Sequence, residues 1–277
     1  MKRSSNLRRH AVLLPICVLM LLPMYILFVN AFKTEADIRA STLSLPLDRL
    51  TLSNLVNAVQ GVGGFQVFTA YRTSLIITVS TVVGTIVVSS MISYVLARRT
   101  GRYFQAIYLV LIAGLLIPPQ VILLPVVQIL SYVNLMFTLP GLVLFNMAGA
   151  LPLGVFIYTS FIRKVPQELD EAAMVDGAGP FRIFTRIIVP LVLPVTVTVS
   201  IFIAIFAWND FVGPLVILGP TGTQTVTTGV FRSIGQYSVD FERVYSSLWL
   251  ASAPMLLLYV FVQRWFVSGL TEGGVKG

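Results

Sequence analysis

The chain alternates long apolar blocks with short clusters of arginine and lysine, and this alternation constrains its fold more than any motif does. A bilayer core about 30 Å thick is crossed by roughly 20 residues of apolar helix. Six blocks approach or exceed that length: residues 11–32, 73–97, 106–130, 141–162, 191–211 and 246–266. Charged residues make up 11% of the 277, whereas a soluble domain carries about 25%. The charged surface that a water-soluble chain of this size needs is therefore missing. Within hydrocarbon every backbone polar group needs an internal partner, and blocks this long satisfy that requirement as helices. The expectation is an all-α polytopic membrane protein, with six transmembrane helices in one membrane domain spanning residues 1–277.

The first block follows a basic N-terminus, as a signal peptide would. It is too long for the apolar core of such a peptide, and no A-x-A cleavage site follows, so it reads as a retained helix. Pro118, Pro119 and Pro125 interrupt the third block, which is expected to be kinked or broken. Pro152 and Pro254 interrupt two others. Such breaks persist in membranes where neighbouring helices or water satisfy the freed backbone groups.

Lysine and arginine accumulate in cytoplasmic loops. With the N-terminus inside, the inner segments hold 13 of the 19 basic residues and the outer segments 6. The inner set is Lys2, Arg3, Arg8, Arg9, Arg98, Arg99, Arg102, Arg163, Lys164, Arg182, Arg186, Arg264 and Lys276. Six spans place both termini in the cytoplasm. The net charge of +8 does not point to nucleic acid, because the basic residues sit between apolar blocks and form no stripe interleaved with aromatics. Cys17 has no partner for an intrachain disulfide and reads as a small apolar side chain. His10 is the sole histidine, and with no cysteine partners it makes no metal site.

Two further features mark positions. Thr81, Thr85, Ser89, Ser93 and Ala97 recur every four residues on one face of the second block. Such a stripe either lines a polar pathway or lets helix backbones pack closely, and the packing seam is the preferred reading. The segment 163–190 is the long inner loop. Val165-Pro166 followed by Gln167, Glu168, Asp170 and Glu171 reads as a helix start, since proline suits the first turn and acids favour the positive end of the helix dipole. Gly177 and Gly179 end that helix after two to three turns. Pro180 opens a second helix, Phe181 to Val189, which Pro190 ends. The first helix thus displays carboxylates and alanines on the cytoplasmic face, either as a knob for a partner's groove or as a solvated loop.

The run Glu171-Ala172-Ala173, three residues, Gly177, nine residues and Ile187-Ile188-Val189-Pro190 resembles the EAA loop of ABC importer permeases, departing from it at Val189, where leucine is usual. Three other stretches are similar to carbohydrate permeases of the maltose-transporter type. They are Pro118-Pro119-Gln120-Val121-Ile122-Leu123-Leu124-Pro125, Trp208-Asn209-Asp210-Phe211, and the tail from Gln263-Arg264-Trp265-Phe266-Val267-Ser268-Gly269-Leu270 to Gly274-Val275-Lys276-Gly277. The resemblance covers essentially the whole chain and implies a type I ABC importer permease fold in the inner membrane.

It also implies partners: a second permease subunit in a heterodimer, two ATP-binding subunits that use ATP and Mg, and an extracytoplasmic solute-binding protein. Residues 163–190 would be the coupling loop, with Glu168, Glu171, Ala172, Ala173, Met174, Asp176 and Gly177 facing the ATP-binding subunit. Glu171 would pair with a basic group there, Ala172 and Ala173 would keep the docked surface close, and Gly177 would supply the turn. Pro220, Thr221, Gly222, Thr223 and Gln224 would form the loop that reaches the binding protein; their composition alone gives a flexible turn. Asp210, at the edge of a span, reads as a structural group more than as a proton or substrate ligand.

The chain carries no P-loop of its own, because its lysines follow Met1, Phe32, Arg163 and Val275 and never glycine. It is therefore not expected to be an enzyme or to bind a cofactor. The alternatives are an ABC permease for glycerol phosphate, an amino acid or a peptide, and a secondary transporter. The last would show paired intramembrane charges or matching broken helices in two halves, and no internal repeat is evident in the sequence.

Overall fold

The computed structural model describes residues 2–45, 47–61, 66–234 and 240–274, with side chains except those of residues 2–9, 12 and 262–274. Every regular element among the described residues is helical. Among the described residues, four helices hold a stretch long and apolar enough to cross a membrane: Lys2–Asn30, Val67–Arg98, Leu139–Ile162 and Phe241–Gly274. A bent pair, Pro180–Leu191 with Leu193–Asn209, makes a fifth crossing if counted as one span, and its two parts meet at 77°.

The third apolar block is broken, as its prolines require. Helix Arg102–Ala113 runs into a 3-10 turn, Gly114–Leu116, and a second helix, Leu123–Tyr132, follows. Between them lie Pro118 and Pro119, which cannot donate to a helical ladder. Both halves are too short to cross by themselves. The first block behaves differently. Lys2–Asn30 stays helical through Pro15 and Pro23.

The chain divides into two compact units, residues 1–70 with 228–257, and residues 71–227 with 258–277. In the first, the end of Lys2–Asn30 is tied to the following segments by buried polar groups. The Asn30 amide donates to the Thr42 carbonyl at 2.9 Å, and the Asn54 amide to the Lys33 carbonyl at 2.7 Å. The Lys33 ammonium is itself buried and donates to the Ser41 carbonyl at 2.9 Å. Burial pushes it below the ordinary lysine value, with Asp37 opposing the shift. Phe28 meets Trp249 edge-on at 4.9 Å.

In the second unit, Leu139–Ile162 is the central helix. Its buried residues Ala150, Tyr158 and Ile162 pack with Phe184, Ile188, Val192, Val199 and Ile203 in one apolar cluster. Around its other end Leu142 and Phe145 pack with Ile77, Leu130, Ile217 and Leu218. The every-fourth-residue stripe lies in this interior. Thr81, Thr85, Ser89 and Ser93 are fully buried, and the Ser93 hydroxyl donates to the Val155 carbonyl at 3.2 Å. A Cβ built on Gly154 would stand 2.7 Å from Ser89 Oγ. The stripe is therefore a packing seam against Leu139–Ile162, which excludes the pathway-lining reading.

Pro190 does not end the second loop helix as expected. Helix continues through it to Leu191, carried by a π turn over Phe184–Ile188. The chain breaks at Val192, where ψ is 0°. Pro190 and Pro194 bracket that residue, and the two missing N–H groups weaken the ladder there.

Candidate functional site

Helix Glu168–Val175 stands at the centre of the 163–190 loop. It begins at Glu168, two residues beyond Pro166, so the proline precedes the first turn and does not occupy it. Gln167 is the cap, and its carbonyl accepts from the Asp170 and Glu171 N–H groups at 3.0 and 3.1 Å. Glu168, Asp170 and Glu171 fill the first turn, where the dipole favours negative charge. The C-terminus closes as a Schellman motif: Ala178 N–H reaches the Ala173 carbonyl at 2.9 Å and Gly177 N–H the Met174 carbonyl at 3.0 Å. Gly177 holds φ +78°, with open space where a side chain would stand.

The helix presents an exposed face. Glu168, Glu171, Ala172, Met174, Asp176 and Gly177 are exposed, and Ala173 is half-buried. Apolar groups join them: Leu169, Val175 and, on the following helix, Phe181. Val175 is 89% exposed, an unusual setting for such a side chain. The surface thus mixes carboxylates with aliphatic groups, and exposed Arg163, Lys164, Arg182 and Arg186 flank it.

Asp170 departs from this pattern. It turns inward, and its side chain is 2% exposed. Arg98, the last residue of Val67–Arg98, grips it with Nε at 2.9 Å from Oδ2 and Nη2 at 3.0 Å from Oδ1. The Tyr94 hydroxyl donates to the same Oδ2 at 3.1 Å. Arg98 Nη1 donates to the carbonyls of Val165 and Ile162 at 3.0 and 3.3 Å. Sequence reasoning placed Asp170 among the dipole-favoured acids and Arg98 among the orienting charges, and so missed the pair. Helical spacing carried the available signal, because Asp170, two residues on from Glu168, lies on the far side of the helix from it.

The segment after Leu193–Asn209 makes a second set of polar contacts. Asp210 follows the helix end; its Oδ1 accepts from Gly213 N–H at 3.1 Å, and its carbonyl accepts from the Thr227 hydroxyl at 2.7 Å. It therefore organises the turn into helix Val212–Ile217. Pro220, Thr221 and Gly222 form an exposed tip, with Gly222 at φ +75°, and Thr223 and Gln224 are half-buried. A cavity of about 390 Å³ lies beside the turn, lined by Gln120, Phe145, Phe206, Asn209 and Asp210 among others. The tail from Gln263 to Leu270 is helical backbone whose side chains lie outside the described set, and residues 275–277 lie outside the described residues. Among the described residues, no three of His, Cys, Asp and Glu gather as metal ligands would.

The chain is 32% identical, over 92% of its own length and 91% of the relative's, to the probable starch degradation products transport system permease protein AmyC of Thermoanaerobacterium thermosulfurigenes. It is 31% identical, with the same coverage, to the melibiose/raffinose/stachyose import permease protein MelC of Bacillus subtilis. Its fold matches a chain in the crystal structure of a bacterial ABC transporter that imports the acidic polysaccharide alginate, with a TM-score of 0.82 and 18% identity over 95% of this chain and 97% of that one. The second alginate transporter structure, in complex with a pentasaccharide-bound periplasmic protein, gives a TM-score of 0.69 at 16% identity, over 95% and 94% of the two chains. The fold is that of a type I ABC importer permease. A family model matches residues 89–271, and the chain belongs to the binding-protein-dependent transport system inner membrane components.

Proposed function

We propose that the chain is one membrane-spanning subunit of an ATP-driven sugar importer, forming half of the translocation pathway. The observation that carries this reading is the helix Glu168–Val175, braced from below by Arg98 while its carboxylate and aliphatic face stays uncovered. A two-turn helix presented in this way suits a groove on a partner. That partner is an ATP-binding subunit, two of which bind and hydrolyse ATP with Mg. On their closure the coupling helices of this chain and of a second permease subunit are pushed, and the pathway changes from inward-facing to outward-facing.

Both termini are cytoplasmic, and six spans cross the membrane within a single domain, the broken Arg102–Tyr132 region serving as the third. Glu168, Glu171, Ala172, Ala173, Met174, Asp176 and Gly177 form the docking face. The tip at Pro220–Gln224 meets the solute-loaded binding protein outside. Sugar is favoured over other solutes by relatives named for starch products, melibiose and diacetylchitobiose.

The test is ATP hydrolysis and uptake by the complex in lipid, with sugar-loaded binding protein, comparing the wild type with Glu171→Ala and Gly177→Pro. Loss of stimulated hydrolysis or of uptake in an assembled complex is the expected result. Uptake that needs no ATP-binding subunit would overturn the reading in favour of secondary transport.

A further inference from the structure

The Arg98 guanidinium uses all three of its nitrogens, and it uses them on separate parts of the chain. Nε and Nη2 take the two oxygens of Asp170, in the first turn of the loop helix. Nη1 takes the carbonyls of Ile162, where the central helix ends, and of Val165, in the linker. The last carbonyls of a helix lack partners within it, so Arg98 also caps Leu139–Ile162. A single side chain thus ties together the ends of two membrane helices, the linker and the loop helix.

Tyr94, one turn earlier on the same helix, reaches both sides of the loop. Its hydroxyl bonds Asp170 on the entering side, and its ring lies 5.6 Å from that of Phe184 on the leaving side. Further along, Ser93 and the buried stripe seam that helix to Leu139–Ile162. A two-pronged arginine–carboxylate pair fixes direction as well as distance. A buried pair is often no more stabilising than apolar packing of similar volume. Geometry, and not stability, is what this arrangement supplies.

We propose that Arg98, Asp170 and Tyr94 are positioning residues that lock the loop helix to Val67–Arg98, so that a push on the loop helix moves both membrane helices and is not absorbed by bending of residues 163–167. The proposal rests on the reading of Glu168–Val175 as the coupling helix.

The experiment uses the full complex in lipid with sugar-loaded binding protein. It measures co-purified ATP-binding subunit, ATP hydrolysis and solute moved per ATP in Arg98→Lys, Asp170→Asn, Tyr94→Phe and the reciprocal Arg98→Asp/Asp170→Arg swap. Lysine keeps the charge but offers a point and not a fork. Assembled Arg98→Lys and Asp170→Asn complexes should move about tenfold less solute per ATP, with the swap recovering part of the loss.

An unchanged ratio in the assembled single variants overturns the proposal. So does uptake that falls only in proportion to the amount of assembled complex, which is what a purely structural role would give. Where Asp170→Asn lowers assembly, Arg98→Lys and Tyr94→Phe carry the same test. Glu171→Ala, measured alongside, separates the two readings. If it uncouples while the clamp variants do not, the clamp fails and the coupling helix stands. If it and the clamp variants all leave co-purification and stimulated hydrolysis untouched, the coupling-helix reading fails and the clamp with it.

Discussion

Two glycines show how differently one residue type can act. Gly177 sits at φ +78° with nothing near its missing side chain, so any cost of substitution there is backbone strain. A non-glycine residue in the left-handed region costs about 1–2 kcal/mol, and asparagine tolerates it better than alanine. Gly177→Ala should therefore weaken co-purification with the ATP-binding subunit more than Gly177→Asn; equal behaviour would remove the left-handed argument. Gly154 has ordinary helical backbone and no room, since a Cβ would meet Ser89 Oγ at 2.7 Å and Ser89 Cβ at 2.8 Å. Gly154→Leu should destabilise the chain by about 1–3 kcal/mol through overpacking, read as a lower melting temperature in detergent. The turn at Gly177 was legible from its place after a helix pattern. The closeness at Gly154 was not, because it depends on which residue of another helix faces it. Asp170 and Glu171 make the same point: adjacent, equally acidic residues, one clamped inside and the other exposed.

At the scale of elements, the loop helix was readable because its ends are written in local chemistry: acids in the first turn, glycine after the last. Its two faces were not, since Arg98 is 72 residues from Asp170 in sequence. Ala172 lies on the exposed face, so Ala172→Trp should insert and melt as the wild type does while co-purifying with less ATP-binding subunit. Normal recovery of that subunit would show that the face does not dock. The helix after the loop was misread for a related reason. Proline removes one donor, which usually ends a helix, but the π turn at Phe184–Ile188 carries the chain past Pro190 to a break at Val192. The stripe on Val67–Arg98 carried its period in the sequence, and only its burial decided that it packs.

Across the whole molecule, two exposed positions on opposite sides of the membrane suffice to read its orientation. In a chain lacking Cys17, Thr221→Cys should react with a membrane-impermeant maleimide in intact cells, and Val175→Cys only after permeabilisation. Both positions are exposed, so the difference reports sidedness and not burial. Labelling of Val175→Cys from outside would invert the orientation drawn from the basic residues. Membrane residence, the all-helical class and the position of the loop helix were settled by sequence alone, because apolar length, charge placement and turn chemistry act locally along the chain. Tertiary structure alone decided that the polar stripe is a seam, that Asp170 faces inward, and that Arg98 joins two membrane helices to the loop. Those outcomes depend on which distant side chains meet, and burial then makes a hydrogen-bonded partner obligatory for any charge that turns inward.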